Sequence, residues 1–107
     1  MALNTDIAQG YSGDEGSEIL IETNLVLTNA TILRINVYTP NKEFKVWEAQ
    51  VDSTNPKYIK YTVKAGDFKV PGTYFLQPEV QLGVYHGKGE TCKILIKQSF
   101  AWGQYNE

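Results

Sequence analysis

The fold is decided by residues 58–77, YIKYTVKAGDFKVPGTYFLQ. Tyr58-Ile59-Lys60-Tyr61-Thr62-Val63 is a run of β-branched and aromatic residues, the composition of a strand. It leads into a compact polar corner, Lys64-Ala65-Gly66-Asp67-Phe68. The chain then reverses at Val70-Pro71-Gly72 and enters a second strand-like run at Thr73. Strand, corner, Pro-Gly turn and strand together form the signature of an antiparallel β-structure.

Working outward, the same pattern recurs. On the N-terminal side, Glu18-Ile19-Leu20-Ile21-Glu22-Thr23 is a short β-branched segment, and Leu25 and Leu27 in the following loop are expected to plug the core. Residues 31–38, TILRINVY, place Leu33, Ile35 and Val37 on one face and Ile32, Arg34, Asn36 and Tyr38 on the other, a period of two with one wet face. A turn at Pro40 leads to residues 44–51, FKVWEAQV, read as one partner strand. Trp47 is placed inward there because its face continues into Ala49 and Val51, whereas the opposite face ends in Glu48 and Gln50.

C-terminal to the opening stretch, residues 73–82 put Tyr74, Leu76 and Val80 on one face. Pro78 falls on that same face, and because it lacks an N–H it predicts a bulge or a partly edge-exposed strand. A glycine-rich turn occupies residues 83–89, with room for a short strand, and Thr91 to Lys97 is the last strand. The expected core is Trp47, Tyr74, Leu33, Ile35, Val37 and Leu76.

The pattern predicts an all-β protein, a single antiparallel immunoglobulin-like β-sandwich of six to eight strands, with a small barrel as the other architecture it allows. Residues 1–16, rich in Gly, Asn, Asp and Ser, read as a flexible arm. Residues 17–97 form the sandwich, and residues 98–107 a tail carrying Phe100, Trp102 and Tyr105. Three aromatics in so short a segment are hard to leave in water, so they either fold back over the sandwich or dock on a neighbour, and in the second case they are the expected protein-contact residues.

Composition narrows the function classes. At 107 residues the chain has room for one domain, and 42% hydrophobic residues suffice for one core. The net charge of −2, with lysines interleaved among acids, argues against nucleic acid as a partner. No apolar run approaches the roughly 20 residues of a membrane-spanning helix, so no membrane partner is expected. The opening Met1-Ala2-Leu3-Asn4-Thr5-Asp6 lacks the features of a secretory signal, which predicts a protein made and kept in the cytosol or assembled there.

Little points to catalysis. Cys92 is the one cysteine and alternates with Ile94 and Ile96, so it reads as a small buried hydrophobe. His86 is the one histidine and sits in the glycine-rich turn, where it reads as a turn or strand-edge residue. One Cys and one His are too few for zinc. The acidic stretch Gly13-Asp14-Glu15-Gly16 lacks the ligand register of a calcium loop. A non-enzyme without cofactor or metal is expected. Among binding functions, Tyr85, His86 and the surrounding turn are the candidates for a carbohydrate platform.

Several segments, read in order, resemble a family of small bacteriophage structural domains related to the N-terminal domain of the baseplate upper protein of siphophages infecting Gram-positive hosts. They are Glu18-Ile19-Leu20-Ile21-Glu22-Thr23, Leu25 to Thr31, Tyr38-Thr39-Pro40-Asn41, Val46-Trp47-Glu48-Ala49, Ile59-Lys60-Tyr61-Thr62 with Ala65-Gly66-Asp67, Pro71 to Val80, His86-Gly87 and Ile94-Leu95-Ile96-Lys97. The resemblance covers about residues 17 to 97. It implies a virion structural protein of the tail, baseplate or neck, assembled in the host cytoplasm and bound to other virion proteins and to copies of itself. It carries over no catalytic residues. A host-surface carbohydrate-binding module and a capsid-surface decoration domain are the alternatives.

Overall fold

The computed structural model describes residues 9–98. The chain is all-β, with nine strands among the described residues: β1 (Gln9–Tyr11), β2 (Glu18–Glu22), β3 (Ile32–Tyr38), β4 (Phe44–Glu48), β5 (Gln50–Val51), β6 (Tyr58–Thr62), β7 (Gly72–Leu82), β8 (Tyr85–Lys88) and β9 (Cys92–Lys97). They form two sheets. The larger runs β1-β9-β7-β3-β4 with β8 also alongside β7, and the smaller runs β2-β6-β5. Eight strands pair antiparallel; β1 alone joins its neighbour, β9, in parallel. This is an immunoglobulin-like β-sandwich.

The inner faces carry the apolar half of each alternation. Ile35, Val37, Trp47, Tyr74, Leu76, Val80, Ile94 and Ile96 from the larger sheet meet Ile19, Ile21, Ile59 and Tyr61 from the smaller, with Leu27 inserted from a loop. Each such side chain stabilises the fold by about 1.5–3 kcal/mol when fully buried. Of the residues expected as core, Leu33 is half-buried against this cluster and the other five are buried.

Four aromatics join the layers. The Trp47 indole stacks on Tyr61 at 4.6 Å and 9°, while Phe68 meets it edge-on at 5.7 Å and meets Tyr74 edge-on at 5.0 Å. The corner at residues 64–70 is therefore not wholly polar, because Phe68 is core. Two buried tyrosines hold that corner. Tyr61 donates to Asp67, whose Oδ2 also accepts from Lys64 N at 2.7 Å. Tyr74 donates to Val70 O at 2.7 Å. Burial raises the pKa of both phenols, so they stay protonated donors.

Two local readings are corrected. Residues 44–51 are not one strand: β4 belongs to the larger sheet and β5 to the smaller, and the chain changes sheet at Ala49, whose N–H donates to Leu33 O. Residues 9–16 are not a free arm. Ser12 N donates to Lys97 O, Gly13 N to Phe68 O and Gly16 N to Val63 O, so backbone bonds that side-chain composition does not encode tie this stretch to the sandwich. The short strand that the glycine-rich stretch after β7 had room for is present as β8, paired with β7.

Of the two alternatives for Pro78, the partly open strand holds and the bulge does not: Pro78 sits inside the eleven-residue β7, in unbroken register with β3. Its carbonyl accepts from Gly89 N, so its N-side also points that way. On that flank β7 pairs β9 up to Leu76 and β8 from Glu79. The missing donor therefore falls in the gap between two neighbours and costs no ladder bond with β3. At the far end of β7, Gly72 has φ 134°, and a Cβ there would lie 2.6 Å from Pro40 Cβ, so the two turns pack in a way only glycine permits.

Candidate functional site

Alternation that fills the core also sets out the opposite face of the larger sheet. Registers between β4, β3, β7, β9 and β8 arrange its side chains in cross-strand rows. At one end stand Phe44, Tyr38, Phe75 and Lys93. Next come Val46, Asn36 and Gln77, followed by Glu48, Arg34, Glu79 and Lys88, in which the charges alternate in sign. Tyr38 packs on Phe44 at 4.6 Å and on Phe75 at 6.3 Å, and the Lys93 ammonium lies 5.8 Å from the Phe75 centroid. The outer face is thus apolar at one end and ionic at the other.

The ionic end is organised around Glu79, which is nearly buried. Its Oε1 accepts from Asn36 Nδ2 at 3.1 Å, and its Oε2 lies 2.6 Å from His86 Nε2. Arg34 Nε is 4.0 Å from Oε1, close enough for attraction but beyond hydrogen-bond reach. The Asn36 bond, followed by the His86 contact, holds the Glu79 carboxyl below the usual glutamate range despite its burial. One carboxylate bridges β3, β7 and β8, which suits a structural cross-brace. Among the described residues, no group of three or more His, Cys, Asp or Glu converges as a metal site.

The apolar end reaches the sheet's margin. Phe44 is 83% exposed and Val46 is 53% exposed, both on β4, which has β3 on one side and no strand on the other among the described residues. An apolar edge strand is a template for strand addition.

The residues singled out from sequence fall as follows. Phe100, Trp102 and Tyr105 lie outside the described residues. Tyr85 and His86 sit on β8 but on opposite faces: His86 joins Glu79 on the outer face, while Tyr85, itself exposed, lies on the other side along a groove of about 420 Å³ lined also by Thr23, Leu25, Pro78, Val80 and Lys88. The Tyr85 ring lies over Gly87, where a Cβ would collide with it. The two therefore do not form one platform. Cys92 is buried, and burial pushes its thiol pKa up, which disfavours the thiolate.

Sequence reasoning missed Phe44 and Val46. The signal was present: the face opposite Trp47 begins with two apolar residues before it turns polar, and a face with both characters at a sheet margin is a contact candidate. It also missed Glu79, which has none of its partners nearby in sequence.

No family model and no curated protein matches the chain. Among solved structures it is similar to CopC from Methylosinus trichosporium OB3b, with a TM-score of 0.59, over 94% of this chain and 89% of that one, at 8% sequence identity. At that identity the likeness is one of fold, and it joins the strand order above in placing the chain among β-sandwich proteins.

Proposed function

We propose that this chain is a non-enzymatic structural module of a bacteriophage virion, a multi-copy adaptor of the tail, baseplate or neck that joins its neighbours through sheet edges and terminal segments. The observation that carries the reading is the β4 margin, where a strand with two exposed apolar side chains leaves one side of its backbone without a partner strand among the described residues. Strand addition at such an edge supplies main-chain hydrogen bonds, and the flanking side chains supply selectivity. The ordered segments from Glu18 to Lys97 that resemble the baseplate family support the particle context. Phe100, Trp102 and Tyr105 are the further contact residues of this proposal.

Mass spectrometry of purified particles tests it. The chain is expected at several copies per particle, and deletion of residues 98–107 is expected to leave a folded protein that particles take up poorly. Particles that lack the chain altogether overturn the reading. Carbohydrate recognition has one observation in its favour, the Tyr85-walled groove. Saturable binding of host cell-wall polysaccharide that a Tyr85→Ala substitution abolishes would establish it instead.

A further inference from the structure

The β3–β4 ladder fixes which backbone groups of β4 face outward. Thr39 N donates to Glu43 O at one end, and Ala49 N donates to Leu33 O at the other. Antiparallel ladders alternate between bonded and non-bonded pairs. With the register Val37↔Lys45 and Ile35↔Trp47, Lys45 and Trp47 turn their N–H and C=O toward β3. Phe44, Val46 and Glu48 therefore turn theirs away from the sheet. The same three residues carry the side chains of the outer face.

We propose that β4 pairs antiparallel with β4 of a second copy of this chain, about a two-fold axis at Val46. The inference rests on the adaptor reading above and names one of its contacts. The register is self-complementary. Centred on Val46, the axis sets Val46 opposite the partner's Val46 and Phe44 opposite the partner's Glu48. Every outward N–H and C=O of the three residues then meets its complement. Shifting the pairing by two residues either way leaves one outward residue of each copy unpaired.

Side chains agree with that register. The two Val46 side chains meet at the axis, and each Phe44 lies diagonal to the partner's Val46, within the roughly 7–8 Å over which diagonal cross-strand neighbours interact. The apolar contact is therefore centred on the axis, Val46 on Val46 with a Phe44 on either side, while beyond it each Phe44–Tyr38–Phe75 row runs on into the partner's Glu48–Arg34–Glu79 row. On the other face Lys45 comes opposite the partner's Trp47, where its aliphatic stem can cover the indole edge. No proline interrupts β4.

Sedimentation of the full chain over a dilution series is the first test, with a reversible two-chain species expected. Val46→Pro removes an outward N–H and no bond to β3, so it is expected to yield a monomer whose unfolding midpoint matches that of the parent at dilutions where the parent is itself monomeric. A position-sensitive test uses engineered thiols. Bonded antiparallel partners have Cα atoms about 5.5 Å apart, within disulfide range. Val46→Cys is therefore expected to cross-link under mild oxidation. Phe44→Cys is not, because its symmetry mate lies four residues along the strand, roughly 13 Å away. Cys92 is buried and does not compete.

A chain that stays monomeric at every concentration, a Val46→Pro protein that still dimerises, or cross-linking through position 44 but not 46 overturns the pairing. A monomeric chain that nonetheless enters particles overturns the pairing and leaves the adaptor reading standing. A Val46-linked dimer that never enters particles supports the pairing and removes the adaptor reading.

Discussion

The larger sheet is finished differently at its two margins. On one side β9 is covered by β1, a three-residue strand from the chain's own N-terminal region, laid down in parallel. On the other side β4 has no strand beside it among the described residues and shows Phe44 and Val46 on its outer face. Both strands present apolar inner faces to the same core: Cys92, Ile94 and Ile96 on β9, and Trp47 on β4. The difference lies in the treatment of backbone groups. One margin is paired within the chain, and the other presents backbone groups with no strand beside them among the described residues.

The contrast can be broken most severely from inside. Trp47→Ala removes the indole that stacks on Tyr61 and anchors β4 to the core. It is expected to cost about 3–5 kcal/mol in chemical denaturation, the usual range for a buried Trp truncated to Ala, and to loosen the β4 margin. Deleting residues 1–11 makes the two margins alike by stripping β1 from β9. A lower melting temperature and new self-association by light scattering, which a Val46→Pro background does not suppress, are the expected results.

A smaller effect sharpens the account of what lies between the margins. Glu79 ionises more readily in the fold than in an unfolded chain. A group with a lowered folded pKa contributes stability that is present above its unfolded value and lost as pH falls through the folded value. Glu79→Gln is therefore expected to be less stable than the parent near neutral pH. The two unfolding curves should converge as acid takes the parent below the ordinary glutamate range. The smallest effect belongs to the open margin itself: Phe44→Ala should change monomer stability by less than about 0.5 kcal/mol, as for exposed sites generally, while weakening association.

Much of the architecture was legible because alternation is a local property. Ile32–Tyr38, Tyr58–Thr62 and Cys92–Lys97 each display a period of two in their own residues, and each is a strand. The turn residues between them mark reversals, so an antiparallel sandwich follows. Less was legible where the backbone alone makes the contact. β1 contains a glycine in a stretch whose composition resembles a loop, and it is a strand because β9 had an open side. Phe68 looked like part of a polar corner, and it is core because the corner folds back over Trp47 and Tyr74.

The candidate site divides along the same line. That Phe44 and Val46 share a face opposite Trp47 can be counted off the chain. That this face lies at a bare margin depends on the chain's change of sheet at Ala49. Glu79 gains its role from Asn36 and His86, 43 and seven residues away.

Side-chain periodicity and turn chemistry, written in neighbouring residues, are enough to specify strands, an inside and an outside. Which strand stands beside which, and therefore which row of amides is left facing water, is settled only when distant segments compete for the same hydrogen-bonding partners. Backbone groups are chemically alike at nearly every position, so no residue letter announces which of them will remain unpaired.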